Sequence, residues 1–269
     1  MKTKLITSLF VFAFLTFACQ KETKKTEKKE SKKEMNETKK AQKIKLTPFT
    51  VSEKFPDASL KLEGEEQISL KEGESTFKFN VKDYELGAQT NRNKIPQIAN
   101  SDKGQHIHVI IDNEPYSAHY MPDVTKEFDK GEHVMLAFLS RSYHESVKND
   151  NSFLVRKLKV GDVKEDQKVD IDFDAEHMFY SRPKGTYSGK DTDKILLDFF
   201  LVNTDLSDDG NKVLARINGE EFEITKWQAF MIEGLPMGEN KIELQLVDND
   251  DKPIEGPYNT VKRTITLEK

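Results

Sequence analysis

The chain repeats itself once, and that self-similarity restricts its fold more than any single motif does. Residues 104–114 (GQHIHVIIDNE) lie over residues 210–220 (GNKVLARINGE). Downstream, FDKGEH at 128–133 matches LPMGEN at 235–240 with a one-residue shift; upstream, Phe77, Phe79 and Val81 match Leu197, Phe199 and Leu201. Two copies of one unit predict two domains of the same architecture, each of about 110 residues. The matched segments alternate apolar and polar residues with period two, as in 77–81 (FKFNV) and 241–246 (KIELQL), and no stretch carries a convincing helical period. Asn218 and Gly219 between two such runs predict a two-residue hairpin, because both residues tolerate positive φ.

Short strands separated by turns, roughly seven per repeat, predict an all-β fold: two consecutive antiparallel β-sandwiches that resemble immunoglobulin or fibronectin type III domains. The expected boundaries are 46–164 and 165–269. This resemblance is architectural and implies no activity. The repeats differ in one loop, which holds 17 residues between Leu86 and Gly104 but 3 between Leu206 and Gly210. An insertion of that length inside a compact domain is expected to be functional or disordered.

The N-terminus sets a compartment. Lys2 and Lys4 precede an apolar run ending at Ala18, which has the form of a secretion signal and is too short for a membrane span. Residues 16–19 (TFAC) resemble a relaxed lipobox, with Phe17 departing from the strict bacterial pattern. That resemblance implies cleavage after residue 18 and lipidation of Cys19, the only cysteine of the chain, so that acyl chains hold the protein at a membrane. Gln20 in place of an aspartate favours the outer membrane. Residues 20–45 carry 11 lysines and 5 glutamates with no aromatic residue, the composition of a disordered tether. Its charge also suits contact with anionic lipid or surface polymer. The whole chain has 42 basic and 47 acidic residues; the first 45 residues hold 13 and 5, leaving 29 and 42 and a net charge of −13 for the remainder. Such a body repels nucleic acid. With Cys19 lipidated, neither disulfides nor thiolate metal ligands are available.

Histidine supplies the one chemical lead. Five of six histidines, His106, His108, His119, His133 and His144, fall within 39 residues of the first repeat. His106 and His108 are two apart on a predicted strand, so both leave the face opposite Ile107, Val109 and Ile111 and stand off the core. A two-residue hairpin would set His119 against His106, and a four-residue turn would set it against His108; only an odd-length loop or a bulge would separate them. His106, His108 and His119, with His133 in reserve and His144 as further support, therefore form a candidate site for zinc or copper(II). Met121 or Met135 would favour copper(I), although Met135 aligns with the inward Ile242. The second repeat has Lys212 and Leu214 where the first has His106 and His108, so the architecture does not itself require histidine there. Solvated strand-face histidines and a pH sensor are the alternative readings.

Residues 104–160 also resemble a bacterial envelope domain family with a histidine-rich strand before an acidic turn, then a Gly-x-His strand and a further histidine. Here those elements are Gly104, His106, His108 and Asp112, then Gly131 and His133, then His144; the resemblance implies a shared role without naming one. Signatures of nucleophilic, nucleotide-binding and metalloprotease enzymes are absent from the sequence, so a non-enzymatic protein is expected. The aspartates at 170, 172 and 174 are expected on the wet face of a strand, and residues 205–210 in a turn. Trp227 is expected on an outer face. The competing functional expectation is an adhesion or assembly module that binds protein or glycan through its sheets, with the histidines incidental.

Overall fold

The computed structural model describes residues 43–269. The expected signal segment, Cys19 and the expected tether up to residue 42 lie outside the described residues. After β1 (Lys45–Phe49), eight strands make the first sandwich: β2 (Ser59–Leu62), β3 (Gln67–Leu70), β4 (Gly73–Lys82), β5 (His106–Ile111), β6 (Ser117–His119), β7 (Asp123–Phe128), β8 (Gly131–Ser140) and β9 (Phe153–Val160). Eight more make the second: β10 (His177–Arg182), β11 (Thr186–Ser188), β12 (Lys194–Val202), β13 (Lys212–Ile217), β14 (Glu220–Ile224), β15 (Ala229–Glu233), β16 (Gly238–Val247) and β17 (Thr260–Glu268).

The duplication read from sequence holds strand for strand. The first sandwich packs a sheet of order β2-β4-β7 against one of order β3-β9-β8-β5-β6, and the second packs β1-β15-β12-β10 against β11-β17-β16-β13-β14. In both, the last strand runs parallel to a short early one, β9 with β3 and β17 with β11, while the other ladders are antiparallel. The fold is an all-β, immunoglobulin-like pair of sandwiches. The chain passes from one to the other between β9 and β10.

Two placements differ from the sequence reading, and the long inserted loop is ordered. β1 does not belong with the repeat it precedes: it pairs antiparallel with β15, Lys45 opposite Glu233, and so extends the second sandwich. Pro48 is accommodated because β1 is an edge strand, where a missing N–H need not break a ladder. The segment carrying Asp170, Asp172 and Asp174 is an irregular connector rather than a strand, and Val169, Ile171 and Phe173 turn inward between its aspartates. The long loop at 87–103 is tied down. Ile98 is buried against Phe49, Tyr143 and Leu196, and Thr90 and Ser142 exchange backbone-to-hydroxyl hydrogen bonds of 3.0 and 3.3 Å.

Alternation along β5 and β8 builds two cores at once. Ile107 and Val109, with Met135, Ala137 and Leu139, pack inside the first sandwich against Phe77 and Phe79. The other face presents Ile110, Leu136 and Phe138 to Phe179, Phe200 and Tyr258 of the second sandwich, so an apolar layer lies between the two. Asn113 fastens the contact: its side-chain carbonyl accepts the Tyr180 N–H at 2.8 Å and its amide donates to Tyr258 O at 3.2 Å. The described residues, 43–269, belong to one compact unit.

Candidate metal centre

His106 and His108 sit on the second of these faces. They stand off the first sandwich's own core, as their spacing predicts, yet both are 0% exposed, covered by Tyr116, Tyr120 and His144, with Arg182 of the second sandwich beyond Tyr116. The reading of solvated strand-face histidines is therefore overturned. The matched face of the second sandwich stays wet, and there Arg216 spreads over Glu221, Glu243 and Gln245.

His119 is not their partner. The hairpin after β5 begins as the aligned one does, with Asp112 and Asn113 at positive φ and the Glu114 N–H bonded to Ile111 O at 2.8 Å. Pro115 then offers no N–H, and pairing resumes one residue out of register, with His119 opposite Ile107 and Ala118 opposite His108. That one-residue slip moves His119 to the other face. There its Nε2 lies 2.8 Å from Ser117 Oγ. His133 is also elsewhere, five residues along β8 from Phe138, the neighbour of His108, which is roughly 16 Å of strand.

His133 instead holds Asp112. Its Nδ1 lies 2.6 Å from the Asp112 carboxylate, whose other oxygen accepts the Val134 N–H at 2.8 Å. The hydrogen bond to Asp112 raises the His133 pKa above the usual imidazole value, against a smaller opposing effect of burial. Stability from this pair is therefore full below about pH 6.5 and is lost as pH rises through the raised value. With both groups partly solvated, at most about 1 kcal/mol is expected. The gap in urea midpoint between wild type and His133→Ala should shrink from pH 6 to pH 9; an unchanged gap would contradict the pairing.

The third imidazole comes from His144, in the turn after β8. Ring nitrogens of His106, His108 and His144 all lie within 4.8 Å of one another. His106 Nε2 is 2.8 Å from His108 Nε2 and 3.1 Å from His144 Nδ1. His144 adopts φ 71°, a left-handed conformation uncommon outside glycine, which directs its ring back over β5. The long loop holds that turn: Ser101 N–H donates to Ser142 O at 2.8 Å, and Thr90 grips Ser142. The insertion peculiar to the first repeat thus positions a histidine.

Gly104 sets the ring of His106. A Cβ at Gly104, whose φ is 85°, would stand 2.2 Å from Gly87 O, so only glycine permits this approach. Its carbonyl lies 2.7 Å from His106 Nδ1 and can only accept, so Nδ1 carries the hydrogen and Nε2 of the neutral ring presents its lone pair to the other two histidines. A metal-ligating histidine is oriented by this same outer hydrogen bond.

Burial keeps all three rings neutral. Desolvation pushes the His106 pKa down to about 4, opposed by the Gly104 hydrogen bond and assisted by the Arg182 charge. His108 is held well below the usual value by desolvation and then by His106 and His144, and His144 by desolvation and then by Arg182. Three neutral imidazoles aimed at one point satisfy one another poorly. His106 Nε2 offers one lone pair to two facing nitrogens, and His108 Nδ1 is buried with no hydrogen-bond partner. A cation among the three would accept the convergent lone pairs. Zinc–nitrogen bonds of about 2.0–2.1 Å place tetrahedral donors roughly 3.3 Å apart, a few tenths of an ångström wider than the two distances from His106 Nε2, with nitrogens of all three rings within 4.8 Å.

Sequence reasoning missed the wall of the site. Tyr116 stacks on His108 with ring centroids 3.5 Å apart, and Arg182 Nε from the second sandwich donates to the Tyr116 hydroxyl at 2.9 Å. Neither follows a spacing rule, since Tyr116 lies in the slipped hairpin and Arg182 in the other repeat. Met135 is core, as its alignment with Ile242 indicates, and Met121 is exposed. Trp227 is half-buried against Phe200, with its indole N–H on Phe199 O at 3.0 Å, rather than on an open outer face.

No protein-family model matches the chain and no curated protein is significantly similar to it, so the resemblance of residues 104–160 to an envelope family gains no support. Among solved structures, the chain is similar to the Clostridium thermocellum CbhA fibronectin(III)-like modules, at 11% identity and TM-score 0.27, covering 78% of this chain and 94% of that one. It is similar to the central fibronectin-III array of RIM-binding protein at 9% identity and TM-score 0.26, covering 81% and 71%. A third is SGBP-B of the Bacteroides ovatus mixed-linkage glucan utilization locus, solved with a mixed-linkage heptasaccharide, at 8% identity and TM-score 0.24, covering 77% of this chain and 47% of that one.

Proposed function

We propose that the protein is a non-enzymatic lipoprotein of the bacterial outer membrane, anchored through Cys19, whose first sandwich binds one transition-metal ion, copper or zinc. The ligands are His106, His108 and His144, the last in place of His119 and His133. One observation carries this reading: three imidazoles, two buried and that of His144 partly so, converge their ring nitrogens within 4.8 Å. Neutral imidazole is a good ligand for both metals, and the preset His106 tautomer lowers the reorganisation needed to bind.

Isothermal titration of residues 40–269 with copper(II) and with zinc tests it. One ion per chain is expected with sub-micromolar affinity. His106→Ala/His108→Ala should abolish binding and His144→Ala should weaken it strongly, whereas His119→Ala and His133→Ala should leave it intact. Absence of binding, or loss only on His119→Ala, would refute this ligand set.

A second reading, a module that binds protein or glycan, is favoured by an open groove lined by Asp150, Phe153, Glu176, Asn203, Asn211 and Trp227. Aromatic faces beside carboxylates and amides suit a sugar. Glycan-array binding lost on Phe153→Ala, with no metal bound at all, would favour this reading over the first.

A further inference from the structure

We infer that Tyr116 supplies the fourth donor of the centre, binding the ion through its phenolate oxygen while Arg182 of the second sandwich grips that oxygen from outside. This rests on the metal reading above and extends it from three ligands to four. Tyr116 is 3% exposed and its ring lies flat on His108, 17° from parallel. Its hydroxyl oxygen is 3.3 Å from His144 Nδ1, the separation of roughly 3.3 Å expected between two donors of one tetrahedral ion. The oxygen thus stands at donor spacing from one of the three nitrogens, that of His144.

The surroundings fit an oxygen that becomes negative. Arg182 Nε donates to it at 2.9 Å, and Nη1 of the same guanidinium is fixed at 3.0 Å by Tyr187. Lys184 Nζ lies 4.0 Å from the centre of the Tyr116 ring and donates to the Tyr116 backbone carbonyl at 2.6 Å. No carboxylate belongs to the histidine group among the described residues. A divalent ion held by three neutral rings would therefore add two buried charges beside two cations. Loss of the phenolic proton offsets one of them: the O–H bond breaks, an oxygen–metal bond forms, the proton goes to solvent, and no electrons are transferred. Four donors would also close the coordination sphere, which is the arrangement of a holding site rather than of a catalytic one.

The test is spectroscopic and uses the unit of residues 40–269 with copper(II) and, separately, zinc. Copper loading is expected to produce an intense visible phenolate-to-copper charge-transfer band, with phenolate ring modes in its resonance Raman spectrum. Zinc loading is expected to give the ultraviolet difference spectrum of one ionised tyrosine. Tyr116→Phe should still bind one ion, about tenfold more weakly, and lose both signals. Ring-deuterated tyrosine in the wild-type chain should shift the Raman modes, a readout that does not depend on the variant folding. Metal bound at one per chain without either signal would overturn the role of Tyr116 and leave the three-histidine site standing. No metal bound by the wild-type chain would overturn both.

Discussion

Between pH 7 and pH 5 the metal-free protein is expected to lose several kcal/mol of stability. His106, His108 and His144 are all held neutral by burial, with His106 pushed down to about 4 and the other two held low in the same direction. In the unfolded chain each takes up a proton near 6.5, and in the folded chain it does not, so the stability is complete above about 6.5 and declines as pH falls towards the folded values. One pH unit below 6.5 is worth about 1.4 kcal/mol per histidine, which gives on the order of 2 kcal/mol each at pH 5. Urea midpoints at pH 7 and pH 5, taken with a chelator present, measure the effect above the range in which carboxylates titrate. His133 works the other way over part of this window and is too exposed to cancel it. A midpoint that does not move would mean that the three rings are not held neutral.

Asp198→Ala is expected to destabilise the protein by about 3–5 kcal/mol, the usual result of leaving one member of a buried ion pair alone. Asp198 lies on β12, is 0% exposed, and reaches across to the first sandwich. It accepts the Ser146 N–H at 3.0 Å, the Ser146 hydroxyl at 3.2 Å and the Lys148 ammonium at 2.5 Å. Alanine would leave an N–H and a largely covered ammonium without their acceptor. The same turn carries His144, so metal affinity should fall with stability. Chemical denaturation reads the first effect and metal titration the second; a cost below about 1 kcal/mol would show that solvent reaches Lys148 easily enough to replace Asp198.

The parts of this molecule that were legible in its sequence are those set by neighbours along the chain or by repetition. Phe77, Phe79 and Val81 alternate because one side of β4 is covered, and the match with Leu197, Phe199 and Leu201 carried the strand order of one repeat to the other. Asn218 and Gly219 make the predicted two-residue turn, with Ile217 opposite Glu220. What was not legible depends on residues far away. Period-two alternation identifies the face of His106 and His108 but not what covers it. The misplacement of His119 turned on one residue in the segment after Asn113, where Pro115 interrupts the ladder. His144 was within the cluster, but its left-handed turn and its anchoring by the 87–103 loop leave no periodic trace. Tyr116 and Arg182 meet only because two repeats dock.

The pairing of β1 with β15 also has a temporal meaning. Lys45 is made long before Glu233, and at about 5–20 residues per second the first strand waits roughly ten to forty seconds for its partner to exist. During that interval the first sandwich can complete all its ladders, while Leu46 has no core to enter and Phe49 still lacks Leu196, Ala229 and Met231. Pro48, in the middle of the waiting segment, interrupts the row of N–H donors through which such a strand would capture a neighbouring nascent chain.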